Sequence, residues 1–358
     1  MTDLLARAAP LTAPGPRWVD DVDAPLLCTE IIDVTHDVKS FTFTLTSGAW
    51  LRFLPGQYLT FRLDVDGVAV ERCYTISSAA TRADRLTITV KRVPGGPVSS
   101  WLHDRLRVGD MVSASGPLGR FTSAFHPADR YLFLTAGSGI TPAMSMLRTA
   151  RDDGPTSDIA FVHCARTPAD IIFRDELDEL AGRHGVNVPM VCESDSADET
   201  WHGPRGRLSL ATLLTHVPDL LDREIFTCGP PAFMASVREM LGLLGVDPVR
   251  CHEESFDLGG SAQDSTAAPT GVAHRVELRR SGVVLDCDEN TPVLTAASRA
   301  GVTLPSSCAE GLCGTCKSGL LSGSVDMQHA GGIRPREIDE GKILLCCSTP
   351  CEDLVIDA

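Results

Sequence analysis

SSCAEGLCGTCKSG, residues 306–319, holds three cysteines among glycines and small side chains. Cys308, Cys313 and Cys316 follow the spacing C-x4-C-x2-C. A disulfide needs one pair of thiols and gains nothing from this crowding, whereas a metal centre needs several thiols together. The next cysteines, Cys346 and Cys347, follow the apolar run ILL. Taking Cys346 as the fourth thiol leaves 29 residues after Cys316. Gly311, Gly314 and Gly319 let such a loop fold tightly and aim amide N–H groups at sulfur. Zinc is the alternative occupant, but it prefers paired CxxC knuckles and only one CxxC is present here. An iron–sulfur centre held by Cys308, Cys313, Cys316 and Cys346 is therefore expected. If the segment after ILL is extended, Cys347 points to the other side.

Around this loop the chain is patterned from residue 273 onward. HRVELRRSGVVLDCD reads as a hairpin, TPVLTAASRAG as a helix and EDLVIDA as a closing strand. Residues 273–358 resemble a plant-type ferredoxin throughout, which implies an α+β β-grasp unit carrying a [2Fe–2S] cluster. Cys351 falls outside that pattern.

The whole chain has 358 residues, enough for two or three domains. Hydrophobic residues make up 43% and charged residues 22%, the balance of a globular protein. The formal net charge of -15, with no basic block, argues against nucleic acid and anionic membrane as partners. No stretch approaches the roughly 20 apolar residues of a spanning helix. Residues 1–24 read as a loose tail without a leader pattern, and a cytoplasmic location is expected. The thirteen cysteines then divide into a metal-binding few and scattered buried thiols.

Residues 25–127 carry short β-branched or alternating runs, such as YLTFRLDV and RLTITVKRV, separated by Gly and Pro. They read as a small antiparallel β-barrel. Residues 128–255 alternate apolar runs (RYLFLTAG, IAFVHCA, NVPMVCE, EIFTCGP) with helical stretches, the layout of an α/β parallel-sheet nucleotide-binding domain. Residues 256–272 are rich in Gly, Ser, Ala and Thr and read as a linker. The expected molecule is multidomain, in the order barrel, nucleotide-binding domain, linker, ferredoxin.

Three barrel stretches, FLPGQYLTF, ERCYTISS and KRVPGGPVSSWLHD, together resemble the ferredoxin–NADP⁺ reductase superfamily. The resemblance implies that Arg72 pairs with the phosphate of a flavin nucleotide, as a bidentate guanidinium suits. It implies that Tyr74 packs on the isoalloxazine and that the Thr75 hydroxyl faces its redox-active edge. Lys91 and Val93 join this set. Gly96, Val98 and Ser99 open a helix whose amides suit a pyrophosphate, so FAD rather than FMN is expected.

LTAGSGITPAMSML follows an apolar strand and opens a helix. It lacks the G-x-G-x-x-G fingerprint, and instead resembles the superfamily's G-x-G-[IV]-[ST]-P through Gly137, Gly139, Thr141 and Pro142. TCGPPAFM resembles its C-G-P element and implies that Cys228 and Gly229 flank the nicotinamide. HCARTPADIIFRDEL resembles the same superfamily, which implies Arg166 at the adenosine ribose and mainly structural roles for Asp170 and Phe173. In HEESF, Glu254 and Phe256 are candidates for lining the flavin pocket. Thr75, Cys228 and Glu254 form the expected catalytic set. The acidic CESDSADE disfavours a 2′-phosphate and points to NADH, although Arg205 and Arg207 follow closely and keep NADPH open.

Nicotinamide gives up two electrons together, an iron–sulfur cluster takes one at a time, and a flavin does both. From about residue 28 onward the chain resembles the reductase components of bacterial multicomponent oxygenases. Its tail, MQHAGGIRPREIDEGKILLCCSTP, is similar to reductases of glycine betaine and related quaternary-ammonium demethylating systems. That resemblance implies a Rieske-type terminal oxygenase as electron acceptor. Hybrid-cluster proteins and di-iron oxygenases use similarly built reductases, and a redox-sensing scaffold is the non-enzymatic alternative.

Overall fold

The computed structural model describes residues 17–154, 157–181, 186–256, 271–302, 304, 311 and 314–358. Within them the chain forms three units, each with its own core.

The first unit is a six-stranded antiparallel sheet that curls on itself. Its spatial order is Val68–Thr75, Tyr58–Val65, Met111–Leu118, Val22–Thr35, Val38–Leu45, Leu86–Lys91. A bridge between Ile76 and Ile88 joins the two edges and makes it a barrel. Alternation drives the closure: Leu59, Phe61 and Leu63 point inward with Phe41, Phe43, Leu86 and Ile88, and all are buried. One helix, Pro97–Asp104, packs Val98 and Leu102 into this core. Pro97 stands in its first turn, where a missing N–H costs nothing. Part of the tail expected for residues 1–24 is built into the barrel. Trp18–Val19 pairs with Trp50–Leu51, and Val22 already pairs with Gly116.

The second unit is an all-parallel sheet in the order Val186–Asn187, Asp158–Ala165, Arg130–Ala136, Glu224–Cys228, Cys251–Glu254, with Met190–Cys192 also on Asp158–Ala165. Its central strands are apolar on both faces because helices cover both. The first strand in the chain, Arg130–Ala136, has neighbours on either side, so the order reverses at its carboxyl end. Ligands of open α/β sheets bind at such a switch point. NVPMVCE is broken by Val188 and Pro189 into two short strands, and HEE forms an edge strand that its polar sequence did not announce.

Helix Ile140–Asp152 holds the two units together. Ser145 Oγ donates to Ser78 O at 2.9 Å, and the Ala80 amide donates to Thr149 Oγ1 at 2.9 Å. Arg82 makes a bidentate pair with Asp152.

The third unit is a mixed sheet in the order Val283–Asp288, Ala273–Leu278, Leu354–Asp357, Lys317–Ser322, Lys342–Leu344. The helix Val293–Arg299 packs across it, the β-grasp arrangement. Cys316 and Cys346 lie in its apolar core. Leu345–Cys347 is a turn between two strands, not an extended segment, so strand alternation does not separate Cys346 from Cys347. The expected linker falls mostly on residues 257–270, and Cys308 and Cys313 also lie outside the described residues.

Candidate functional site

A cavity of about 450 Å³ opens between the barrel and the parallel sheet. Arg72, Tyr74, Thr75, Lys91 and Val93 line it from barrel strands and the loop that follows them. Gly96, Val98 and Ser99 line it from the helix start. Thr141, Glu254 and Phe256 line it from the second unit. Residues that carried no separate sequence signal join them: Tyr58, Thr89, Ser138 and Ser255. Tyr58 was legible only as part of a strand, although its register with Thr75 places it opposite a predicted site residue.

The wall is fixed locally. The Val93 amide donates to Ser99 Oγ at 3.1 Å, and Ser99 Oγ donates to Gly96 O at 3.3 Å, tying the loop to the helix start. A side chain on Gly96 would meet Ser99 Oγ at 2.9 Å and Val93 Cβ at 3.0 Å, so a larger residue there would push against the loop that forms this wall. Tyr74 meets Phe61 edge-on at 6.0 Å, and burial pushes its hydroxyl far above the usual range. One guanidinium, one helix start stripped to small residues and a phenol plane suit a flavin dinucleotide: charge for phosphate, amides for pyrophosphate, an apolar plate for the ring.

A second cavity, about 320 Å³, lies at the carboxyl ends of the parallel strands and shares Lys91 with the first. Gly137 and Arg166 line it, together with Glu193, Arg207 and Phe233. Arg166 is committed to Asp170 at 2.5 Å and lies 3.8 Å from Asp37. Burial works to raise the Asp170 carboxyl, but bonds from Thr167 and Arg166 outweigh it and hold it below the usual range.

Gly139, Pro142, Cys228 and Gly229 line neither cavity as walls; Gly139, Cys228 and Gly229 meet in a seam, and Pro142 is buried in the helix that follows. A Cβ on Gly139 would stand 2.3 Å from Cys228 O and 2.7 Å from the Gly229 amide. The two nicotinamide motifs therefore touch backbone to backbone. Cys228 pairs in register with Glu254, and both are buried. Burial, then the Glu254 charge, pushes the Cys228 thiol well up.

Glu254 Oε2 has no hydrogen-bond partner among the described residues. Burial pushes its carboxyl up to about 8. The folded protein thus holds a proton that the unfolded chain releases from the ordinary value of 4.5 upward. Between those pH values the folded state binds more protons, so the stability share of Glu254 is intact below the lower value and falls as pH rises to the upper one. Glu254→Gln, which mimics the protonated acid, should melt level with wild type near pH 4.5 and hotter at pH above 8, by a few degrees per ~1 kcal/mol. Melting curves at the two pH values check the sign. A variant less stable than wild type at the higher pH contradicts it.

In the third unit the Gly311 amide donates to Cys346 Sγ at 3.2 Å, and Cys316 and Cys346 are both buried. Amide-to-sulfur bonding around packed thiols fits a cluster ligand set. Cys347 is half-buried, with its Sγ aimed at Leu344 O at 3.7 Å. Glu337 beside this loop takes Lys317 at 2.8 Å and Arg334 at 3.1 Å. Burial would raise its carboxyl, but these cations hold it down at about 2.

The chain matches three family models: an oxidoreductase FAD-binding domain over residues 25–123, an oxidoreductase NAD-binding domain over 133–239 and a 2Fe-2S iron-sulfur cluster binding domain over 276–351. It is 41% identical over 343 residues to a glycine betaine monooxygenase reductase subunit of Pseudomonas aeruginosa, spanning 92% of this chain and 94% of that one. The chain belongs to the oxygenase reductase family. A stachydrine N-demethylase reductase subunit of Rhizobium meliloti is 40% identical across 93% of this chain and 96% of its own length. Among solved structures, phthalate dioxygenase reductase superposes with a TM-score of 0.58 at 26% identity, covering 94% of this chain and 98% of that one. As an oxygenase reductase, the chain is an NAD(P)H oxidoreductase that uses FAD and a [2Fe–2S] cluster to pass electrons to a partner oxygenase. When bound, the flavin exchanges an electron pair with nicotinamide and single electrons with the cluster. No helix among the described residues is long and apolar enough to cross a membrane.

Proposed function

We propose that this reductase takes electrons from NADH and serves a Rieske-type oxygenase that N-demethylates glycine betaine or a related quaternary amine in the cytoplasm. The similarity to two reductases named for methylated quaternary amines, each spanning more than nine-tenths of the chain, carries the substrate reading. Residues 25–127 hold FAD, 128–255 hold the nicotinamide nucleotide, 256–272 link, and 273–358 hold the cluster. Arg72 and the helix start at Gly96–Ser99 bind the flavin phosphates, and Tyr74 and Thr75 border its ring. Thr141, Cys228 and Glu254 close the nicotinamide side. Cys308, Cys313, Cys316 and Cys346 bind iron.

The donor reading rests on Glu193. It follows strand Met190–Cys192 at the carboxyl edge of the sheet, and its amide donates to Ala165 O at 3.1 Å. A carboxylate there suits a ribose hydroxyl and repels a 2′-phosphate. Each arginine nearby is matched by an acid: Arg207 lies 3.7 Å from Glu193, and Arg205 pairs with Asp195 and with Trp201 O. Glu193→Ser should raise kcat/KM for NADPH by about tenfold, the effect of ~1.4 kcal/mol of relieved repulsion. Steady-state rates with both nucleotides measure it. An unchanged NADPH:NADH ratio removes Glu193 from the reading.

The test of function has two steps. Anaerobic titration with NADH should bleach flavin and cluster absorption together. Reconstitution with the oxygenase should then release formaldehyde from glycine betaine. Electron delivery to a di-iron oxygenase or hybrid-cluster protein, but not to the Rieske partner, would overturn the substrate reading.

A further inference from the structure

We infer that Asp21 clamps the iron–sulfur unit onto the flavin barrel through Arg334 and Arg336, positioning the Cys346 turn near the flavin cavity for electron transfer within the chain. The inference rests on the proposed route from flavin to cluster. Asp21 stands just before barrel strand Val22–Thr35. Its two oxygens take different partners from the third unit: Oδ1 meets Arg334 Nη1 at 2.8 Å, and Oδ2 meets Arg336 Nη1 at 2.6 Å.

The two arms differ in weight. The Arg334 side chain is only 13% exposed and the Arg336 side chain 51%. Ion pairs open to water contribute little, whereas removing one member of a desolvated pair leaves the other stranded. The Arg334 arm therefore dominates. Arg334 is also bound on its far side. Its backbone amide donates to Glu337 Oε2 at 2.9 Å, its Nη2 lies 3.1 Å from Glu337 Oε1, and that same oxygen takes Lys317 Nζ at 2.8 Å. Lys317 directly follows Cys316 in the chain. An alternating row of charges, Asp21, Arg334, Glu337 and Lys317, thus runs from the barrel to the residue beside a buried cluster-loop thiol.

The clamp lies next to a short path of close contacts. Tyr58 lines the flavin cavity, and a Cβ on Gly119 would sit 3.0 Å from its ring. A Cβ on Gly331 would sit 3.0 Å from Arg120 Cγ and 3.5 Å from the Gly119 carbonyl carbon. The Gly332 amide donates to Gly311 O at 2.9 Å, and the Gly311 amide donates to Cys346 Sγ at 3.2 Å. Glycines at these crossings let the cavity wall and a thiol of the proposed cluster approach closely, with the Tyr58 and Arg120 side chains packed directly against them. With flavin and cluster bound, one electron would cross at a time with no bond made or broken, and the pair supplied by NADH would leave in two such transfers to the partner oxygenase.

Asp21 is a positioning residue, so its test separates docking from chemistry. Asp21→Asn, Asp21→Glu and Arg336→Ala are made in the full-length holoprotein. Small-angle X-ray scattering reads domain docking, and anaerobic stopped-flow with NADH reads flavin and cluster bleaching separately. Asp21→Asn should enlarge the radius of gyration and slow the cluster phase about tenfold, leaving the flavin phase unchanged. Asp21→Glu, which keeps the charge, should restore both, and Arg336→Ala should have the smaller effect. High salt should slow the wild-type cluster phase more than that of Asp21→Asn. Scattering and a cluster phase identical to wild type in Asp21→Asn overturn the clamp. Altered scattering with an unchanged cluster phase overturns its positioning role. Failure of NADH to bleach wild-type flavin would instead defeat the proposed function, and the scattering comparison alone would then decide the clamp.

Discussion

Cys346→Ala is expected to leave flavin bleaching by NADH intact while the iron–sulfur absorption and its electron paramagnetic resonance signal disappear. Electron delivery to a one-electron acceptor downstream of the cluster should fall by more than the roughly 10–100-fold that loss of an outer partner costs a metal site. The choice between Cys346 and its neighbour is physical. Cys346 is buried in the apolar core of the third unit and accepts the Gly311 amide. Cys347 leaves the same turn half-buried, with its Sγ 3.7 Å from Leu344 O and close against Gly311, where an added Cβ would stand 2.7 Å from it. Cys347→Ala should therefore keep the cluster. A cluster retained in Cys346→Ala and lost in Cys347→Ala would reverse the assignment. Flavin content does not report on the third unit, whose core is separate, so far-ultraviolet circular dichroism and melting curves of both variants check its folding.

Gly139→Val should cut kcat/KM for NADH at least about 100-fold, the order of loss that a misplacement near 1 Å produces. Gly139 has no unusual φ, so the cause is contact rather than backbone strain. The added Cβ meets Cys228 O at 2.3 Å, Cys228 C at 2.5 Å and the Gly229 amide at 2.7 Å, all backbone atoms that cannot swing away. Either the helix Ile140–Asp152 shifts, or the Cys228–Gly229 strand end does, and both border the nicotinamide side. Gly137 gives the contrast. Its φ is +52°, but a Cβ there meets no protein atom within 4 Å. Gly137→Ala should cost about 1 kcal/mol of stability from left-handed backbone, and because Gly137 lines the second cavity any loss of kcat/KM there reads direct crowding of the nucleotide rather than a shifted seam. Chemical reduction by dithionite should proceed in both variants, separating a nucleotide defect from a lost flavin. Equal NADH kinetics for Gly139→Val and wild type would show that the seam yields.

Much of this molecule was legible because its chemistry is local. The thiol spacing, the R-x-Y-T run and the glycines after an apolar strand each lie within a few residues, and the cavities gather most of them. What sequence could not announce was either polar or distant. Strand Cys251–Glu254 pairs on one side only, with Glu224–Cys228, so nothing forces its residues into an apolar pattern. Leu345–Cys347 follows an apolar run that reads as strand, yet the chain turns there. Asp21 lies in a segment read as a loose tail. Its partner Arg334 is 313 positions away, and no periodicity links one acid to one base at that range. Glu193 was legible only as part of an acidic stretch. Its place beside the second cavity depends on where Met190–Cys192 joins the sheet.

The edge strand Cys251–Glu254 ends at Ser255 and Phe256, which line the flavin cavity. The connection to the third unit therefore starts at the mouth of the site it serves. Residues 257–270 can extend at most about 50 Å, by the reach of a fully stretched chain. Even with the Asp21 contacts released, a third unit held within a sphere of that radius would stand at a local concentration of a few millimolar. Cluster reduction should then be first order in this protein at any dilution. A free ferredoxin competing for the same electrons would need to approach millimolar levels to divert them.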